Sequence, residues 1–266
     1  MHKRMSLAGW VDTLQSNGQY AFSREEAIVA LKISKTAFKN ALLRLVAKSR
    51  IVIPRRGFYI IVPLEYRNAG SPPASWFIDG LMKFRQHPYY VGLLSAAALH
   101  GAAHQQPQEF QVITESPMRP AIAGRNKIHF YLKSHLDKTP ILEVKTETGS
   151  MRVSTPEATA LDLVRYAKRI GGLGNVAMVL KELSDRIDPQ LIVSAADMEH
   201  ELSVVQRLGY LLEQFGSTKK ISEPLARWLI KKNAPLVPLR PERNSKAIQK
   251  DLRWKLIINE QVEVDQ

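Results

Sequence analysis

Apolar residues near the start of the chain recur at helical spacing. Leu7, Trp10, Val11 and Leu14 mark a first helix, and Ser16-Asn17-Gly18 stops it. Ser23 followed by Glu26 three residues later has the form of a capping box and predicts a short second helix ending near Leu31. Lys32-Ile33 forms a tight connection, and Ser34 caps a third helix over roughly Lys35 to Ser49. The pattern then changes. Ile51-Val52-Ile53 and Phe58-Tyr59-Ile60-Ile61-Val62 are apolar strands around Pro54-Arg55-Arg56-Gly57. Pro fixes one turn dihedral and Gly accepts a positive one, which puts both arginines at the tip. Three helices followed by a basic hairpin predict a winged helix-turn-helix.

Beyond this module the pattern is mixed. Pro63 to Ser75 is polar and rich in Gly and Pro, the composition of a linker. Helices are expected from Trp76 to Phe84 and from Tyr90 to His100. Strands are expected at Glu109–Thr114, Lys127–Leu132, Ile141–Lys145 and Ser150–Val153. A long helical half opens at Ser154-Thr155-Pro156-Glu157, with Ser154 and Glu157 as a capping pair, and one further strand-like run closes the chain at Arg253–Asn259. Clustered strands followed by clustered helices make the fold class α+β. The expected domains are a winged helix-turn-helix over 1–66, a linker over 67–75, and a larger mixed α+β domain with a helical C-terminal half over 76–266.

Charge sharpens the picture. Residues 1–70 hold 12 Lys and Arg against 4 acids, a net of +8 out of the chain's +13, leaving +5 for residues 71–266. Such a concentrated positive field favours a polyanionic partner. On the third helix, Phe38, Ala41, Leu42 and Leu45 share one face, and Thr36, Lys39, Asn40, Leu43 and Arg44 share the other. Asn40 can bond an adenine edge, Lys39 a guanine, and the Thr36 methyl a thymine. Lys35, Arg44 and Lys48 flank them where phosphates would lie, with Arg55 and Arg56 at the hairpin tip. No apolar run approaches the ~18 residues that span a bilayer, and no signal sequence follows Met1-His2-Lys3-Arg4. The absence of cysteine excludes disulfides and fits the cytoplasm.

Signs of catalysis are sparse, and neither a cofactor nor a metal is expected. His100 and His104 have i, i+4 spacing, without an adjacent glutamate and with Gly101 between them. Glu143-Val144-Lys145, with Asp137 in the preceding turn, has half the pattern of a Mg²⁺-dependent nuclease, which keeps a DNA-targeted enzyme as the alternative. Gly171-Gly172-Leu173-Gly174 has the glycine content of a phosphate loop but no preceding strand and no Lys-Ser/Thr after it. A second alternative is a transcription factor whose larger domain senses a ligand. Arg240, Arg243, Lys246, Lys250, Arg253 and Lys255 form either a charged tail or a second basic face toward DNA or an acidic protein.

In combination these passages resemble the AbiEi antitoxins of the AbiE abortive-infection (type IV) toxin–antitoxin systems. The resemblance runs through the winged helix, Tyr89–Gly101, Phe110–Thr114, Ser154–Leu163 and Arg253–Asn259. It implies a non-enzymatic, two-part protein. The N-terminal part would bind inverted repeats in double-stranded operator DNA upstream of its own operon, through Lys35, Thr36, Lys39, Asn40, Arg44, Arg55 and Arg56. The C-terminal part would counteract a nucleotidyltransferase-like toxin without requiring a stable complex.

Overall fold

Ser6 starts the first helix, α1 (Leu7–Ser16), by accepting the Gly9 N–H at 3.1 Å, and Gly18 ends the turn after it at φ +74°. Strand β1 (Ala21–Ser23) follows, and Ser23 and Glu26 cap α2 (Arg24–Leu31) reciprocally. Lys32 turns the chain in the left-handed region at φ 51°, and α3 (Lys35–Ala47) begins at Ser34, whose Oγ accepts the Ala37 N–H at 3.1 Å. Strands β2 (Ile51–Arg55) and β3 (Phe58–Ile61) complete a sheet ordered β1-β3-β2. Its core contains Leu7, Val11, Phe22, Leu31, Phe38, Leu42, Leu45 and Tyr59. The element order is the one expected of a winged helix, with β1 added. Three residues are too few to show an alternating pattern.

The computed structural model describes residues 5–102, 107–216, 219–243 and 249–264. By contacts the chain forms two compact units: Met1–Tyr90, Gln108–Leu136 and Glu143–Arg152 in the first, and Val91–Pro107, Asp137–Leu142 and Val153–Gln266 in the second. This differs from the expected boundaries. Residues 67–75 do not act as a tether but pack inside the first unit. Ser71 and Ala74 are buried, and Asn126 Nδ2 donates to Ser71 Oγ at 2.6 Å and to the Pro72 carbonyl at 2.8 Å. A Cβ on Gly70 would lie 2.9 Å from the Gly124 Cα. Glycine here permits two backbones to touch rather than loosening a connection.

The first unit continues with α4 (Ile78–Arg85), β5 (Phe110–Thr114), β6 (Ala121–Ala123) and β7 (Asn126–Leu132). Strands β5 and β7 pair in parallel from Phe110↔Ile128 to Thr114↔Leu132, and β6 and β7 form an antiparallel hairpin. With β4 (Tyr89–Val91), β8 (Ile141–Thr146) and β9 (Gly149–Ser154) the strand order is β6-β7-β5-β4-β9-β8. Tyr90 and Val91 are therefore strand where the start of a helix was expected. Helix α5 (Leu93–Leu99) begins only after Gly92, because Tyr-Tyr-Val suits a buried strand better than a helical turn.

The second unit is largely helical. Helix α6 (Pro156–Arg165) is buried from Glu157 to Val164 and packs against α5, α7 (Gly172–Leu183), α8 (Leu191–Met198) and α9 (Leu202–Phe215). Thr155, not Ser154, caps α6, and Ser154 Oγ instead meets Thr159 Oγ1 at 2.7 Å. Glu157 Oε1 accepts the Asp188 N–H at 2.9 Å. Helix α10 (Lys219–Ile230) precedes a small sheet of β10 (Val237–Pro238), β11 (Gln249–Asp251) and β12 (Leu256–Ile258). Gln206 Nε2 of α9 donates to the carbonyls of Pro235, Trp254 and Lys255, at 2.8, 3.2 and 3.0 Å. Trp254 and Lys255, in the closing run, are thus tied to α9. Among the described residues no helix is long and apolar enough to cross a membrane.

Trp254 is fully buried against Gly209, where an added Cβ would fall 1.9 Å from the indole ring. Gly209→Ala is therefore expected to destabilise the second unit by about 1–3 kcal/mol through overpacking. Chemical denaturation checks this, and an unchanged midpoint would show that the ring has room to move.

Candidate nucleic-acid interface

Helix α3 is oriented by Phe38, Leu42 and Leu45, which enter the core, with the Phe38 ring edge-on to Tyr59 at 5.4 Å. That anchoring turns Lys35, Thr36, Lys39, Asn40, Leu43, Arg44 and Lys48 to solvent. Leu43, at the middle of this face, is 56% exposed. Helix α3 carries no acidic residue. Among the described residues none of the six polar side chains of this face has a hydrogen-bond or ion-pair partner. Asn40, Lys39 and Thr36 sit in the first half of the helix, so the groups suited to base edges lie near its N-terminal end.

The hairpin differs from expectation. Its turn is Arg56-Gly57, with Gly57 at φ +91°. Pro54 lies within β2, at a break in the register between Val52 and Arg55, where the missing N–H costs no ladder bond. Only Arg56 occupies the exposed tip. Arg55 folds back: its Nη2 donates to the carbonyl of Arg119 and to that of Pro120, the latter at 2.9 Å. The same turn rests on α4. A Cβ on Gly57 would come within 3.2 Å of Phe84, and the Phe58 and Phe84 rings lie 5.5 Å apart. Burial lowers the pKa of Arg55, and repulsion from Arg85 and Arg119 lowers it further. Residues 55, 85 and 119 are remote in sequence, and no motif marks the last two. Only the fold brings their cations together.

The basic group near the C-terminus is organised otherwise. Arg240 pairs with Glu242 at 2.9 Å and Glu260 at 2.8 Å, Arg243 with Glu260 at 3.0 Å, and Arg253 with Glu223 at 2.6 Å and Glu213 at 3.4 Å. Lys250 and Lys255 are exposed, and Lys246 lies outside the described residues. Much of this charge is spent inside the unit. Counting cations along the sequence missed the carboxylates, because Glu213 and Glu223 arrive from α9 and α10.

The enzymatic candidates are also placed. Glu143 is exposed on β8 and accepts from Ser150 Oγ at 3.1 Å, and Lys145 is exposed on the same strand. Among the described residues no three His, Asp or Glu side chains group to hold a metal ion. His100 Nε2 lies 2.8 Å from the Ser154 carbonyl, and His104 is outside the described residues. Gly171 and Gly172 turn the chain into α7 at φ +100° and +86°, and a Cβ on Gly174 would meet the Glu263 carbonyl at 2.4 Å. These glycines serve a turn and a close chain contact. A cleft of about 410 Å³ in the first unit is lined by Tyr20, Trp76, Asp79, Lys83 and Thr148 among others. Its polar groups are largely satisfied internally: Lys83 pairs with Asp79 at 2.7 Å, and Thr148 Oγ1 donates to the Trp76 carbonyl at 2.8 Å.

Residues 90–214 match the family model described as the AbiEi antitoxin C-terminal domain. Among solved structures, the RV2827C protein from Mycobacterium tuberculosis is similar in fold, with a TM-score of 0.66 and 15% identity over 93% of this chain and 89% of that one. No curated protein matches the sequence.

The two hairpin arginines should behave differently on substitution. Arg55→Ala removes a guanidinium bonded to three carbonyls, those of Pro54, Arg119 and Pro120, and is expected to cost about 1–2 kcal/mol of stability. Arg56→Ala should stay within about 0.5 kcal/mol. Urea unfolding of both variants tests this, and equal losses would contradict the assignment of Arg56 alone to the tip.

Proposed function

We propose that the chain is an AbiEi-type antitoxin, on the match of its residues 90–214 to that family's C-terminal domain, and that it is also a DNA-binding repressor of its own operon. The observation that carries this reading is the exposed, acid-free face of α3, whose polar side chains are left without protein partners. Helix α3 enters the major groove. Asn40 and Lys39 bond base edges, Thr36 and Leu43 touch thymine methyls, and Lys35, Arg44 and Lys48 meet the flanking phosphates. Arg56 reaches backbone or minor groove from the hairpin tip, and Arg55 holds the hairpin in place. The target is double-stranded operator DNA with inverted repeats, in the cytoplasm. The C-terminal part counteracts a nucleotidyltransferase-like toxin in a type IV abortive-infection operon, without needing a stable complex with it. No catalytic step is assigned to the chain.

Footprinting on the promoter of its own operon tests the DNA half. Lys39→Ala with Asn40→Ala should relax sequence choice by ~1–3 kcal/mol per lost base contact, with non-specific binding largely retained. A double variant that still selects operator over scrambled duplex like the parent would overturn the reading face. Co-expression with the neighbouring toxin gene tests the other half. Growth should be rescued by the full chain and equally by the Lys39/Asn40 variant, since neutralisation is placed in the other part. Failure of the parent chain to rescue would refute it.

A further inference from the structure

We propose that the DNA-binding surface extends beyond α3 and the hairpin to Arg85 and Arg119, which with Arg56 form a three-segment arginine cradle for the phosphate backbone flanking the hairpin. This rests on the DNA-binding reading above and adds to it a contact from outside the helix-and-hairpin module.

Three stretches of the first unit converge here: the hairpin turn, the end of α4, and the connection leading into β6. Arg55 ties the first to the third through the carbonyls of Arg119 and Pro120. Phe84 packs under Gly57 and Phe58, which brings its neighbour Arg85 to the same place. Arg56, Arg85 and Arg119 are all exposed. Among the described residues none of the three has a carboxylate partner. Arg85 is the last residue of α4, where the helix dipole favours a cation.

Gathering cations without counter-charge is unfavourable in the isolated protein: burial lowers the Arg55 pKa most, and repulsion from Arg85 and Arg119 lowers it further. An anion relieves it. A guanidinium suits phosphate in particular, since its planar fork binds two oxygens at once. Continuity with the hairpin selects the backbone of the duplex that α3 engages over an unrelated acidic surface.

The experiment compares the full-length parent, Arg85→Ala with Arg119→Ala, and the corresponding double lysine variant. Binding to operator duplex and to a scrambled duplex of equal length is measured across a salt series. The alanine variant should weaken both duplexes by the same factor, roughly tenfold, and reduce the slope of log affinity against log salt by about two. The lysine variant should recover most of the slope. Because Arg55 bonds the main-chain oxygen of residue 119, the substitution leaves that tie in place, and an unchanged unfolding midpoint confirms it.

An alanine variant with parental affinity and slope overturns the cradle. If Lys39→Ala with Asn40→Ala has meanwhile lost operator preference, the DNA-binding reading itself survives. A parent that binds neither duplex refutes both. Parental DNA binding with loss of toxin neutralisation in co-expression would overturn the cradle and assign these arginines to an acidic protein surface.

Discussion

A guanidinium bonded to neutral carbonyls keeps its whole charge, and the basic surface of the first unit depends on that constraint. Arg55 satisfies its donors with the backbone oxygens of residues 119 and 120 rather than with a carboxylate. The hairpin is therefore anchored without neutralising the field around it. Had an aspartate supplied the acceptor, the anchor would have been stronger and the local charge smaller. The same economy appears on α3, where the cost of orientation falls on Phe38, Leu42 and Leu45 and leaves its basic side chains on the solvent face without an acidic neighbour on the helix.

The C-terminal arginines show the opposite solution. Arg240, Arg243 and Arg253 are charges used as fasteners, each closed by glutamates of the same unit. Exposed pairs of this kind contribute little stability singly. Here they accompany firmer contacts: the Gln206 amide shared among three carbonyls, and the Trp254 indole seated on Gly209 with Glu213 accepting its N–H. One chain thus uses arginine in two ways, and the difference lies in what each guanidinium donates to.

The helices and caps of the N-terminal module were legible from sequence because they depend on neighbours three and four positions away. Ser23 with Glu26, Ser34 ahead of α3, and the division of α3 into two faces all follow from local spacing. Short or non-local features were not legible. Strand β1 has three residues, β4 took the place of a helical turn, and Gly70 reads as linker until Gly124 is seen against it. The candidate interface divides likewise. The α3 face is visible in one stretch of sequence, whereas Arg55 turning away from the tip and Arg85 and Arg119 arriving beside it depend on contacts across tens of residues.

Anchoring through main-chain oxygens has a further consequence for how such a protein can change over time. Every residue type offers the same carbonyl, so positions 119 and 120 can be substituted without releasing the hairpin. Their side chains are exposed. Charge at the rim can be raised or lowered by single substitutions while the scaffold stays as it is; for the DNA-binding role proposed above, that would let binding strength drift separately from the α3 residues assigned to sequence choice.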